Sequence, residues 1–114
     1  MAKDDYYVIA AKIMVYLYSR LKGKTDKKPA EYLHPMSEDF PISEEYFEFV
    51  VSELERHGYI TVPIVREWGG KIIRIDYSSV QITQEGIDFL LENSKIRKAL
   101  KLVPAAAAIV ELFQ

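Results

Sequence analysis

The sequence predicts an α+β fold: a winged helix-turn-helix with a three-helix core, a β-hairpin wing and extra C-terminal helices. Three observations lead to this class. A capped amphipathic helix, two strand-like segments joined at Gly69-Gly70, and a second capped helix follow one another between Pro41 and Leu91. In winged-helix proteins this order corresponds to the helix that enters the major groove of DNA, the wing, and a supporting helix.

The segment before Pro41 predicts two further helices. Apolar residues recur at three- and four-residue spacing over 4–21, which indicates an amphipathic helix. Its expected buried stripe is Tyr7, Ile9, Ala10, Ile13, Met14, Leu17 and Leu21. Pro29 suits the first position of a short helix over 29–33. His34 ends that helix, because the residue before a proline avoids helical geometry.

The predicted helix over 43–57 has clear signals at both ends. Ser43 is a favourable N-cap, and Gly58 lies where a left-handed residue is needed after the helix. The expected buried stripe is Phe47, Val50, Val51 and Leu54. The expected solvent face is Glu44, Glu45, Glu48, Ser52 and Glu55.

Residues 59–77 predict a β-hairpin that turns on the two residues Gly69-Gly70. Pairing outward from that turn defines the register. The expected pairs are Ile64 with Ile75, Arg66 with Ile73, and Val62 with Tyr77. Pro63 cannot donate a ladder hydrogen bond, so we expect it in the outer strand.

Two helices are predicted after the hairpin. Thr83 is the expected N-cap of a helix over 83–92, and Ser94 that of a helix over 95–112, which Pro104 kinks or divides. The last helix carries two apolar stripes: Ile96, Leu100, Val103, Ala107 and Val110, and Leu102, Ala106, Ile109 and Phe113. One small core cannot cover both stripes, so we expect a homodimer with Ile109 and Phe113 in its interface. The expected organisation is a winged-helix domain over 1–93 and a dimerisation extension over 94–114.

The composition limits the classes of function. A chain of 114 residues fits one domain, and the lack of cysteine excludes disulfides, a thiolate nucleophile and a cysteine-based zinc site. We predict neither a signal peptide nor a membrane span, and therefore a cytoplasmic location and no membrane partner. The net charge of −2 is unevenly distributed. Residues 1–30 hold seven basic and three acidic residues, whereas residues 31–57 hold one basic and eight acidic residues.

Two stretches of sequence carry a family resemblance. The string His57-Gly58-Tyr59-Ile60, and after the hairpin the run from Ile82 to Asn93, resemble the core of the YjcQ-like family of small bacterial and phage proteins. The resemblance implies a winged-helix fold and supplies no established catalytic residues. The long insert from Lys22 to Asp39 and the alanine-rich tail after Pro104 depart from the family pattern, which leaves the partner and the oligomeric state open.

The predicted wing suggests contact with DNA. Basic side chains beside an aromatic ring suit a phosphate backbone or a minor groove. The candidate wing residues are Arg66, Trp68, Lys71 and Arg74, and the candidate residues of a basic loop are Lys24, Lys27 and Lys28. In the alternative interpretation, Trp68 packs back onto the hairpin, and the cations only keep an exposed ribbon soluble.

The helix over 43–57 argues against contact with DNA. A DNA-reading helix usually presents Arg, Lys, Asn or Gln, whereas this one presents Glu44, Glu45 and Glu48. Two functions therefore stay open: a DNA-binding transcription regulator that uses the wing and the basic loop, and a protein-protein interaction adaptor that offers its acidic helix to a basic protein and binds no DNA.

The sequence offers no support for an enzyme. His34 and His57 lack the spacing of metal ligands, and the three glutamates lack the pattern of a calcium loop. Ser43 and Ser52 have no recognisable base and orienting acid. We therefore expect a non-catalytic protein that requires neither a metal nor another cofactor.

Overall fold

The computed structural model describes residues 5–103, and within them the fold is α+β. Five α-helices are accompanied in this range by four short strands in two antiparallel pairs. The helices are α1 (Tyr6–Leu21), α2 (Pro29–Tyr32), α3 (Glu44–Arg56), α4 (Gln84–Glu92) and α5 (Ser94–Ala99). The strands are β1 (Ile60–Thr61), β2 (Ile64–Arg66), β3 (Ile72–Ile75) and β4 (Gln81–Ile82). Single 3₁₀ turns cover Tyr77–Ser79 and Leu100–Leu102. No helix within residues 5–103 is long and apolar enough to cross a membrane.

Helix α1 is the centre of the core. It packs against α3, α4, α5 and β4, and apart from Lys12 every residue from Val8 to Ser19 is buried. The predicted single apolar stripe was too narrow, because a helix that has neighbours on several sides is covered nearly all round. Leu21, expected in the stripe, is 64% exposed, since the chain leaves the core at the end of the helix.

Helix α3 forms as predicted. The Ser43 side chain accepts a hydrogen bond from the Tyr46 backbone N–H at 3.1 Å. At the other end Gly58 has φ +78°, and the Tyr59 N–H donates to the Leu54 carbonyl oxygen at 2.9 Å, which is a Schellman cap. The predicted stripe of Phe47, Val50, Val51 and Leu54 is buried.

The hairpin differs from the prediction at its turn. The Gly70 N–H donates to the Glu67 carbonyl oxygen at 2.9 Å, and Gly70 is left-handed with φ +85°. The loop therefore has three residues, from Trp68 to Gly70, rather than two. The shift brings Arg66 opposite Ile72 instead of Ile73.

A bulge at Ile73 restores the predicted register further from the turn. Val65 pairs with Arg74, and Ile64 pairs with Ile75 as predicted. One additional residue in β3 compensates for the additional residue in the loop. The two deviations cancel, so the buried Ile75 still faces the core.

The predicted pair of Val62 with Tyr77 does not form. The hairpin ladder stops at Pro63, whose carbonyl oxygen accepts from the Asp76 N–H at 2.9 Å, and Tyr77 begins a 3₁₀ turn. Strand β1 pairs instead with β4, which brings Ile60 opposite Ile82. The missing N–H of proline interrupts the strand, so the wing extends from a separate two-stranded base.

Helix α4 begins at the predicted cap. The Thr83 side chain accepts from the Gly86 N–H at 3.0 Å. Gly86 is buried, and a Cβ atom at this position would lie 2.0 Å from the Tyr59 carbonyl oxygen. Glycine is therefore required where α4 crosses the start of β1.

Helix α5 is shorter than predicted and has a different cap. The Asn93 side chain, not that of Ser94, accepts from the N–H groups of Lys95 and Ile96. The helix ends at Ala99 and a 3₁₀ turn follows. The predicted continuous helix from residue 95 is therefore wrong for residues 100–103, and its remainder lies outside the described residues. Val103 is extended with φ −101° and ψ 118°, as the residue before a proline prefers.

The first part of the predicted C-terminal seam packs inside the chain. Ile96, Leu100 and Val103 are buried, and α5 contacts α1 and α4. Ile109 and Phe113, the predicted dimer contacts, lie outside the described residues.

Candidate nucleic-acid and protein interfaces

The tip of the wing exposes its aromatic residue completely. Trp68 is the first residue of the three-residue loop, and its side chain is fully exposed. The interpretation in which Trp68 packs back onto the hairpin is therefore wrong. Trp68 lies in the turn itself, which the left-handed Gly70 closes, and therefore outside the paired strands.

Three cations lie on the same hairpin as this tryptophan. Arg66, Lys71 and Arg74 are all exposed. The Arg66 guanidinium donates to the Gly70 carbonyl oxygen at 3.2 Å, which holds it across the loop. We call Arg66, Trp68, Lys71 and Arg74 the wing cluster, since one short ribbon carries all four side chains.

The basic loop, residues 22–28, is fixed to α1. The Lys27 carbonyl oxygen accepts a hydrogen bond from the Tyr16 hydroxyl and a second from the Arg20 guanidinium at 3.0 Å. Lys24, Lys27 and Lys28 are exposed. Helix α2, which follows the loop, packs against the 3₁₀ turn at the base of the wing. Helix α2 therefore connects the basic loop to the base of the wing.

The acidic face of α3, defined as Glu44, Glu45 and Glu48, is only partly solvated. Glu44 and Glu45 are exposed, but Glu48 is half-buried. Burial raises the pKa of the Glu48 carboxyl, and the charges of Glu44 and Glu45 raise it further. Burial, followed by the negative charges of Glu48 and Glu44, also raises the pKa of Tyr77. The acidic face thus extends to the base of the wing.

Sequence reasoning missed an exposed aromatic residue on α3. Phe49 is 52% exposed, and its ring centroid lies 6.3 Å from that of Tyr6. The exposure of Phe49 could have been predicted from the sequence, because helical periodicity places position 49 outside the buried stripe of Phe47, Val50 and Leu54. An apolar ring beside carboxylates gives α3 the character of a protein contact surface.

The histidines take part in packing or face solvent. His57 stacks on Tyr59 with ring centroids 5.6 Å apart, and Tyr59 stacks on Phe89 at 4.1 Å. His34 is exposed. Within residues 5–103, no group of three His, Cys, Asp or Glu side chains could hold a metal ion.

Comparison with known proteins gives one finding. Neither the curated proteins nor the solved structures include a significant match to the chain. A family model described as YjcQ protein matches residues 12–107, a range that includes most of α1 and all the later helices and strands described above. The match confirms the resemblance identified from the sequence and extends over well more than half of the chain. The chain therefore belongs to the YjcQ protein family.

Proposed function

We propose that this protein is a small winged-helix DNA-binding regulator whose wing and basic loop, rather than α3, contact duplex DNA. The observation that carries the proposal is the full exposure of Trp68 between the cations of the wing cluster. A large aromatic side chain left in water forgoes about 1.5–3 kcal/mol of burial, which favours a partner that covers it. Cations on the same hairpin favour a polyanion as that partner.

The order of elements supports the winged-helix assignment. Helix α3 is followed by the β1 segment, the wing and α4, and β1 pairs with β4 to close the base of the wing. Phosphates would be repelled by Glu44 and Glu45 on the exposed side of α3. Contact through the wing and the basic loop avoids this repulsion.

Binding to random duplex DNA across a salt series tests the proposal. For wild-type protein, the logarithm of the binding constant should fall steeply with the logarithm of salt concentration. In Arg66→Ala/Lys71→Ala/Arg74→Ala this slope should become less negative by about 0.9 for each phosphate contact removed. The matched control is Arg97→Ala/Lys98→Ala/Lys101→Ala, which removes three exposed cations from the C-terminal side of the fold. Equal losses in the two variants would mean that net charge, not the wing, determines binding.

A second function, a protein-interaction adaptor, is favoured by the exposed Phe49 beside the acidic face of α3. An adaptor of this kind would bind a basic segment through both charge and apolar contact. An arginine-rich peptide should then bind to wild-type protein. Its affinity should fall with Glu44→Gln/Glu45→Gln, and fall further when Phe49→Ala is added. Glu85→Gln/Glu92→Gln on α4 is the matched control. Absence of duplex DNA binding by the wild type at about 0.1 M salt would favour the adaptor over the regulator.

The proposal also includes a non-catalytic role in the cytoplasm and a homodimer formed through the segment after residue 103. The dimer is supported by the apolar second stripe that contains Ile109 and Phe113. Sedimentation of wild-type protein and of Ile109→Asp/Phe113→Asp tests it. A shift from dimer to monomer is expected, and a wild type that is monomeric at micromolar concentrations would contradict this part of the proposal.

A further inference from the structure

A pocket of about 240 Å³ lies on the side of α1 that faces the basic loop. Helix α1, the loop, α2 and the end of the C-terminal 3₁₀ turn line it, and it opens to solvent. None of the wing cluster lines this pocket. It is therefore a site separate from the proposed DNA contact.

Three cations line the pocket, and among residues 5–103 no carboxylate lines it, although the charges of Glu31 and Asp39 act on its tyrosines from outside the wall. Lys12 approaches from α1, and its ammonium group donates to the Asp39 carbonyl oxygen at 2.8 Å, which leaves further N–H donors available. Lys24 and Lys27 approach from the loop, and the Lys27 ammonium lies 5.2 Å from the centroid of the Tyr32 ring. The described lining of the pocket consequently carries a positive formal charge.

The tyrosines in the wall do not offset this charge. Burial, then the negative charge of Asp39, raises the pKa of Tyr32 to about 12. Burial is also the main reason that the pKa of Tyr16 is raised, against the opposing effect of Arg20. Both hydroxyls stay neutral at physiological pH, and the Tyr16 hydroxyl is already donated to the Lys27 carbonyl oxygen.

Ser19 supplies a polar group without a partner. Its residue surface is only 8% exposed, yet within residues 5–103 its hydroxyl makes no hydrogen bond. No fully buried side-chain polar atom in this range is left unsatisfied, so the Ser19 oxygen must open to the pocket that the residue lines. A buried serine hydroxyl that faces a cavity is suited to donate to a ligand.

The remainder of the wall is apolar. Val15 and Val103 contribute aliphatic surface, and the rings of Tyr16 and Tyr32 stand side by side with centroids 4.6 Å apart. An inorganic anion would leave these side chains without contact. A ligand that uses the whole pocket therefore has a charged end and an apolar body.

We propose that this pocket binds a small organic carboxylate, whose oxygens accept from the lysine ammonium groups and the Ser19 hydroxyl while its apolar body packs on Val15 and Val103. Charge-assisted hydrogen bonds fix the carboxylate end, and burial of the apolar body provides most of the remaining affinity. The site does not depend on DNA binding, so it can be tested separately from the proposed function.

Benzoate, benzamide and inorganic phosphate are the three test compounds for the full chain. Benzoate combines charge with an apolar ring, benzamide keeps the shape without the charge, and phosphate has the charge without the ring. Calorimetry measures affinity, and amide chemical shifts in two-dimensional NMR locate the site. We expect benzoate to shift the amide signals of Ser19 and Thr25, both of which line the pocket, and to bind at least about tenfold more tightly than either other compound, a difference of about 1.4 kcal/mol.

Lys12→Gln/Lys27→Gln should weaken benzoate binding by about tenfold or more, because each glutamine removes a charge while keeping most of the side-chain stem. Lys98→Gln/Lys101→Gln, with the same change of net charge outside the pocket, should leave the affinity unchanged. Ser19→Leu, which fills the cavity, should abolish binding, and its circular dichroism spectrum reports whether the fold is kept. Equal affinity for benzoate and benzamide, equal affinity for benzoate and phosphate, equal losses in the two lysine variants, or no shift at Ser19 would each overturn the proposal.

Discussion

The Thr83 hydroxyl donates a hydrogen bond to the Gly58 carbonyl oxygen at 2.5 Å, across 25 residues of sequence. The Thr83 hydroxyl oxygen also accepts a hydrogen bond from the Gly86 N–H at 3.0 Å, so one side chain caps α4 and ties it to the end of α3. The wing extends between these two positions, and this contact therefore holds its base closed.

Thr83→Val should destabilise the protein by about 1–3 kcal/mol, since it removes a helix cap and leaves the Gly58 carbonyl oxygen without this donor. Urea unfolding measures the change. Thr83→Ser keeps the hydroxyl and should retain most of the stability. A similar loss in both variants would show that the methyl group, rather than the two hydrogen bonds, matters at this position.

Leu54→Ala should lower the free energy of unfolding by about 2–5 kcal/mol, because it empties a fully buried site on α3. Glu45→Ala, on the exposed side of the same helix, should change it by less than about 0.5 kcal/mol. Thermal and urea unfolding of the two variants provide the comparison. Equal costs would contradict the assignment of the two faces.

Gly86→Ala should be strongly destabilising, by about 1–3 kcal/mol or more, because its Cβ would meet the backbone oxygen of Tyr59 at 2.0 Å. Gly69→Ala is the control. Gly69 has open space around its Cβ position and no positive φ, so the change should stay within about 0.5 kcal/mol. A tolerated Gly86→Ala would mean that α4 can move away from β1 at little cost.

Alkaline pH should destabilise the protein through its half-buried tyrosines. Burial is the main cause that raises the pKa of Tyr6 and of Tyr32 to about 12, above the value of about 10 for an exposed tyrosine. A raised folded pKa stabilises the native state fully at pH below the unfolded value, and this contribution is lost as the pH rises from about 10 towards 12. Ultraviolet titration of tyrosinate should show a late step, and Tyr32→Phe should reduce its amplitude. A titration complete near pH 10 in folded protein would contradict the burial of these hydroxyls.

The ends of the helices were largely predictable because their signals are local. Ser43, Gly58 and Thr83 each satisfy backbone groups within a few residues, and the structure places each cap at its predicted position. At α5, local sequence could not decide whether Asn93 or Ser94 is the N-cap. Both residue types are good caps, and the choice depends on where the chain leaves α4.

The candidate surfaces show the same division. Wing cations could be identified from sequence, because the charged side chains of a short hairpin seldom find a place in the core. The exposure of Trp68 could not, since it depends on a three-residue loop and a compensating bulge at Ile73, which only the packing of Ile75 into the core selects. The pocket of Ser19, Lys12 and Lys27 was also not predictable, because it forms where the loop after α1 folds back on that helix and meets α2 and Val103.

The sequence by itself determined the α+β class, the family, the caps of α3 and α4, and the division of charge between a basic N-terminal segment and an acidic α3. Each of these depends on neighbouring residues or on the period of apolar positions, and both are properties of the chain before it folds. Only the tertiary structure decided that α1 is buried on nearly all sides, that β1 pairs with β4, and that three lysines and a buried serine line one pocket. Those features depend on contacts between distant segments, whose free energy is gained only when the whole core assembles.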